Sequence, residues 1–197
     1  MTMELVFATN NTHKIKEISA LLDDRFNIIG LADVGIEEDI SEDADTLTGN
    51  ALSKARYVHS RTGLNVFADD TGLEVDALNG APGVYSARYA GPGKSPDDNI
   101  VRLLKELDGI TDRKARFRTV IALILNDKEY LFEGTVEGKI MYERRGTGGF
   151  GYDPVFMAEG FDRTFAELPL AEKNLISHRA RATERLITFL EKKALTR

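Results

Sequence analysis

The chain has 197 residues, a formal net charge of −6, 42% hydrophobic and 29% charged residues, and no cysteine. That is enough chain for one domain with a proper core, and its acidity excludes a general nucleic-acid surface, which would carry a basic stripe. Without cysteine there is no disulfide framework, thiolate zinc site or cysteine nucleophile, which permits a cytoplasmic location; no apolar run reaches the ~20 residues of a membrane helix.

The elements alternate from the start. Residues 4–9 read as a short buried strand, cut off by polar Thr9, Asn10 and Asn11 too soon for a secretory signal. A helix follows over 14–22, with Ile15, Ile18, Leu21 and Leu22 on one face and Asn11 or Thr12 as its N-cap. A second strand is expected near 27–30, then an acidic loop (Glu37, Glu38, Asp39, Glu42, Asp43, Asp45), most simply a solvated one. The pattern then predicts a helix over 47–60 with Ala51, Ala55 and Val58 inward, and strands at 65–69 and 73–75. Ser95-Pro96-Asp97-Asp98 starts a helix that runs to 107: a cap, proline at the first helical position and acids in the first turn. Two long strands, 116–126 and 128–137, are expected to pair across a tight turn. The first alternates Phe117, Thr119, Ile121, Leu123 and Leu125 with a period of two. A strand near 155–157 and a helix over 177–193, with Ala182, Leu186, Phe189 and Leu190 inward, complete the chain. The fold class expected is α/β: one domain over 1–197, its two lobes built around a long mixed sheet flanked by helices, with an active site in the cleft between lobes.

Four segments carry chemistry. Asp69 and Asp70 follow an apolar strand and precede Thr71 and Gly72, where the chain can turn. Successive strand residues face opposite ways, so the two acids should not act as a symmetric pair. A carboxylate there is placed to carry Mg2+ and orient water; an Asx-type turn between two strands is the alternative. Thr9, Asn10, Asn11, Thr12, His13 and Lys14 form a polar strand-to-helix junction, suited either to an anion or simply to capping. Gly146 to Gly151 satisfies GxGxxG but leads to a strand, not a helix, so it is no dinucleotide fingerprint. It reads as a loop whose glycines let a ligand approach, with Phe150 or Tyr152 as a stacking ring, or else as a glycine-rich hairpin with core aromatics. Last come Lys173 and Ser177-His178-Arg179, which place cations in a first helical turn, against the helix dipole. Of the three histidines, His13 and His59 are structural by default.

Taken together, ATNNTHK (8–14), NALSKA (50–55), FADDTGLEVDALNGAPGVYSARY (67–89), GTGGFGYDPVF (146–156) and SHRARA (177–182) closely resemble the non-canonical purine nucleoside triphosphate pyrophosphatases, nearly from end to end. The resemblance implies hydrolysis of dITP, ITP and XTP to the monophosphate and pyrophosphate, with Mg2+, by a homodimer. By position it makes Thr9, Asn10, Asn11, Thr12, His13 and Lys14 the triphosphate loop, with Lys54 a further phosphate contact. Glu42 and Asp70 become metal-associated carboxylates, Asp70 also the base. Thr71 contacts substrate where serine is common, and Asn10 stands where glycine is frequent. Phe150, Gly151, Tyr152, Asp153, Lys173, His178 and Arg179 become the base-recognition set. A related pyrophosphatase for modified pyrimidines, or a non-catalytic nucleotide-binding regulator, are the competing expectations.

Overall fold

Seven strands and five α-helices describe residues 2–194 in a computed structural model of the chain. The strands are β1 (Met3–Phe7), β2 (Phe26–Ile29), β3 (Val66–Val75), β4 (Pro82–Gly83), β5 (Lys114–Leu125), β6 (Lys128–Ile140) and β7 (Phe156–Ala158). The helices are α1 (Thr12–Ser19), α2 (Leu47–Thr62), α3 (Pro96–Glu106), α4 (Leu170–Ile176) and α5 (His178–Ala194). The sheet is mixed, in the order β2-β1-β3-β5-β6-β7, with β4 on β3. β1 runs parallel to both β2 and β3, whereas β4 and β7 pair antiparallel. Among the described residues no helix is long and apolar enough to cross a membrane.

Contacts divide the chain into two compact units, each with its own core. Unit 1 comprises residues 1–70, 119–134 and 179–197. Its core joins Leu5 and Phe7 of β1, Ile18 of α1, Phe67 of β3, Ile121, Leu123 and Leu125 of β5, and Ala182, Leu186 and Leu190 of α5. Unit 2 comprises residues 71–118 and 135–178. Its core is more aromatic: Tyr89, Phe117, Tyr152, Phe156 and Phe165 surround Leu73, Ile100, Leu103 and Leu107.

Local signals set most boundaries. Asn11 caps α1, Thr46 caps α2 and Ser95 caps α3, each accepting backbone N–H groups of the first turn. Asn126 and Asp127, both at positive φ, close the β5–β6 hairpin in two residues, the geometry that fits the strand twist. Several expectations change, among them the first helix, which spans Thr12–Ser19 and leaves Leu21 and Leu22 beyond its end. The two strands at 65–69 and 73–75 are one ten-residue β3, with Thr71 and Gly72 inside it; no turn follows the acids. The period of two in β5 fails over 119–125, where every residue is buried, because a central strand is covered on both faces. Helix α4, too short for a periodic signature, is new.

Candidate active site

In unit 1, register builds the site. Val6 lies opposite Val66 and Phe7 opposite Phe67, and the two phenylalanine rings stack at 4.4 Å. β3 then runs on past the end of β1, so Asp69 and Asp70 stand beyond the last residues paired with β1. Alternation along the strand sends them to opposite sheet faces. Asp69 shares the face of Phe67, covered by α1 and α5. Its Oδ1 accepts from Lys14 Nζ at 2.9 Å and its Oδ2 from Arg179 Nε at 3.2 Å. Arg179 also donates to Glu17 of α1. Asp70 meets α2 instead: Asn50 Nδ2 donates to Oδ2 at 3.0 Å, and Lys54 Nζ lies 3.8 Å from Oδ1 and 2.5 Å from Glu42 Oε1. Asn50 and Lys54 are four apart, on one face of the helix.

These partners drive the neighbouring acids apart in proton affinity. Burial pushes Asp69 up, but the Lys14 and Arg179 charges outweigh it and hold its carboxyl well below the usual range. For Asp70 burial wins over Lys54 and Lys14, with Glu42 adding to it, and its carboxyl is raised. Burial lowers the Lys14 ammonium against the pull of Asp69. Burial likewise works on Lys54, but Asp70 and Glu42 override it and raise that group. Two acids adjacent in sequence thus hold different protonation preferences, a pattern that separates acid–base roles.

In unit 2, a second cluster is mostly apolar. Asp153 Oδ2 accepts from the Phe150 N–H at 2.8 Å and from Lys173 Nζ at 2.6 Å. Both charged groups are buried. The Lys173 ammonium also sits over the rings of Phe150 and Phe165, 5.1 and 5.4 Å from their centroids, in cation–π contact. The His178 ring stacks on Phe117 at 4.6 Å, and Phe117 meets Phe156 edge-on. The result is a lysine and a histidine held rigid by aromatic walls, with half-buried Phe150 at the margin.

Several sequence-predicted residues take different places from those expected. Arg179, grouped with His178 by sequence, is fully buried and serves Asp69 and Glu17 in unit 1. Of the two candidate stacking rings, Tyr152 belongs to the core, its hydroxyl donating to the Ser86 carbonyl at 2.9 Å, whereas Phe150 is half-buried. The loop glycines answer to their own chain. A side-chain carbon at Gly146 would fall 2.5 Å from the Ala166 backbone, and one at Gly149 would fall 2.1 Å from Asp153 Oδ2. The His13 and Lys14 amides are taken by the Asn11 side chain and the Asn11 amide by Thr9 Oγ1, so the junction at α1 is a capped turn with Lys14 as its cation. Asn10, Thr12 and His13 are exposed, Thr71 and Gly151 half-buried. In the acidic loop Glu42 alone of the six acids is half-buried; the others face solvent. His59 ties the end of α2 to Leu64 and Asp127. Sequence reasoning missed Glu17 and Asn50 as parts of the network. The signal was there: each is a polar residue at a position where its amphipathic helix turns inward.

The donors suit Mg2+. Glu42 and Asp70 converge on one ammonium, and both offer carboxylate oxygens. Among the described residues no group of three or more His, Cys, Asp or Glu gathers into a metal cage. Mg2+ does not need one, because it keeps several waters and binds through one or two carboxylates plus substrate phosphates.

Comparison with known proteins identifies a family. Residues 5–189 match the Ham1 family. The chain is 55% identical over 188 residues to a dITP/XTP pyrophosphatase of Flavobacterium johnsoniae, covering 95% of this chain and 98% of that one. It is 56% identical over 188 residues to the protein of the same name in Porphyromonas gingivalis, covering 95% and 97%. A solved HAM1 protein from Coxiella burnetii superposes with a TM-score of 0.89 at 42% identity, over 97% of this chain and all of its own.

Proposed function

The chain belongs to the Ham1 family, and from that premise we propose that it hydrolyses dITP, ITP and XTP to the monophosphate and pyrophosphate with Mg2+, clearing deaminated purines from the nucleotide pool. The observation that carries this reading is the division of labour between Asp69 and Asp70. Asp69, locked between Lys14 and Arg179, anchors the cations. Asp70, held by Asn50 and close to Lys54, is the carboxylate placed to work on water.

Phosphoryl transfer is mostly positioning and charge neutralisation. Lys14 and Lys54 bring fixed positive charge to the triphosphate, and Asn11 and Thr9 shape the loop around it. Asp70 orients the attacking water and accepts its proton. Asp70 and Glu42 would hold Mg2+, which supplies Lewis-acid neutralisation of phosphate oxygens. In unit 2, Phe150 offers a ring face to the base, a contact worth ~1–3 kcal/mol. Lys173 and His178 are donors, complementary to the C6 oxygen of hypoxanthine and xanthine. Adenine carries an amino donor there and leaves donor facing donor, a mismatch that such sites reject by up to ~10⁴–10⁵. The family reading also implies a homodimer, which sedimentation equilibrium tests.

The deciding experiment measures pyrophosphate release from dITP, XTP, ITP, dATP and dGTP, with Mg2+ and with EDTA. Fast release from the first three and very slow release from dATP supports the proposal. Equal rates on dITP and dATP, or full activity in EDTA, would overturn it.

A further inference from the structure

The buried carboxamide of Asn50 does two things at once. Its Oδ1 accepts from the Ala44 N–H at 2.9 Å, and its Nδ2 donates to Asp70 Oδ2 at 3.0 Å. Asn50 is 1% exposed; its bond to Asp70 is buried and its bond to Ala44 partly so, and a partner lost at the buried bond leaves a polar group to desolvate. Ala44 lies two residues after Glu42, in the otherwise solvated acidic loop. That loop has to come down onto the first turn of α2 for the Ala44 amide to reach. Gly49 makes the room: a side-chain carbon there would fall 2.6 Å from the Ala44 Cβ and 3.0 Å from the Thr46 Oγ1 that caps the helix. Glycine is otherwise a poor choice inside a helix, by ~1 kcal/mol against alanine, so its presence at the third helical position answers to this close approach.

We propose that Asn50 is a positioning residue for the hydrolysis: one carboxamide on α2 fixes the Glu42-bearing loop and Asp70 in a common frame, with Gly49 admitting the loop. The inference rests on the proposed pyrophosphatase reading and extends it to residues that touch no substrate. A carboxamide meets the demand, because its oxygen accepts on one side while its separate NH2 donates on the other. Lys54, one turn further along the same helix, then meets Glu42 and Asp70 at 2.5 and 3.8 Å as a consequence of that frame.

Two variants separate the two bonds. Asn50→Asp keeps the acceptor for Ala44 and replaces the donor to Asp70 with a second carboxylate that repels it. Gly49→Ala leaves Asn50 intact and drives the loop away. Each is measured for thermal unfolding, for exchange of the Ala44 amide by NMR, and for kcat and KM on dITP at saturating Mg2+. For Asn50→Asp the expected result is a folded protein whose Ala44 amide still exchanges slowly but whose kcat drops ~10–100-fold, the usual cost of a lost supporting partner. Its KM should change by less than ~3-fold, since the loss lies in the transition state. For Gly49→Ala, Ala44 exchange should accelerate and kcat should fall although the helix itself is favoured. An Asn50→Asp protein that unfolds would make Asn50 a stability residue and overturn the proposal, as would kcat within ~2-fold of wild type in either variant. If the wild-type protein hydrolyses none of the deaminated nucleotides, the pyrophosphatase reading fails by itself. Ala44 exchange, slow in Asn50→Asp and fast in Gly49→Ala, still reads whether the frame exists.

Discussion

Unit 1 and unit 2 bury charge in opposite styles. In unit 1 the buried charges form networks: Lys14, Asp69, Arg179 and Glu17 one and Lys54, Glu42 and Asp70 a second, on the two faces of one strand. In unit 2 a single buried pair, Lys173 with Asp153, is set among phenylalanine rings beside a stacked histidine. The first arrangement suits a highly charged phosphate chain. The second suits a flat, nearly neutral base, where a few rigid donors in an apolar frame discriminate sharply. The contrast teaches that a densely ionic cluster and an aromatic one are built from different materials, and so can be broken separately.

The largest break should come at Asp70. Asp70→Asn removes the group assigned to the water proton and should lower kcat by more than the ~10²–10⁴-fold typical of one acid–base residue. Nucleotide binding, followed by calorimetry, should survive. Because burial raises the Asp70 carboxyl, the neutral amide should leave stability unchanged or higher. Near-normal turnover would remove Asp70 from the chemistry.

Asp69→Asn is the opposite case, and the next in size. It takes away the charge that Lys14 and Arg179 share. Breaking one member of a buried ionic set costs ~3–5 kcal/mol, readable by urea unfolding. If Asp69→Asn proved stable and Asp70→Asn unstable, the two roles would be exchanged.

His178→Phe sharpens the comparison from the other side. The ring keeps its stack on Phe117 but loses its donors. The preference for dITP over dATP should fall by at least ~10-fold, a fraction of what such sites supply, while unit 1 chemistry on dATP stays as slow as before. An equal loss on every nucleotide would make His178 a scaffold residue.

The smallest effect concerns stability alone. In unit 2 the Tyr89 hydroxyl is pushed up to about 12 by burial and by its Glu106 partner. Unfolded tyrosine releases its proton near ~10. The folded value is the higher, so this contribution is complete below pH ~10 and is lost as pH rises towards 12. Tyr89→Phe should flatten the fall in stability across that window, compared with wild type by thermal unfolding. An unchanged slope would show that the hydroxyl carries no such linkage.

Much of this was legible in the sequence because it depends on near neighbours. The caps at Asn11 and Ser95, the hairpin turn at 126–127 and the inward faces of α2 and α5 follow from local chemistry and helical period. So did the opposite facing of Asp69 and Asp70, since alternation along a strand is a property of the backbone itself. Tertiary structure decided the partners. That β3 runs unbroken through Thr71 and Gly72 depends on strands far away in sequence offering it pairing on both sides. Arg179 left its neighbour His178 for Asp69, 110 residues distant, because helix periodicity points successive side chains in different directions. Tyr152 went to the core and Phe150 to the margin, a choice two adjacent aromatics cannot declare without the surface they pack on. Glu17 and Asn50 are polar residues on the inward faces of their helices. Only the fold, by bringing Arg179 and Asp70 to them, supplied the charges and donors that make burying them favourable.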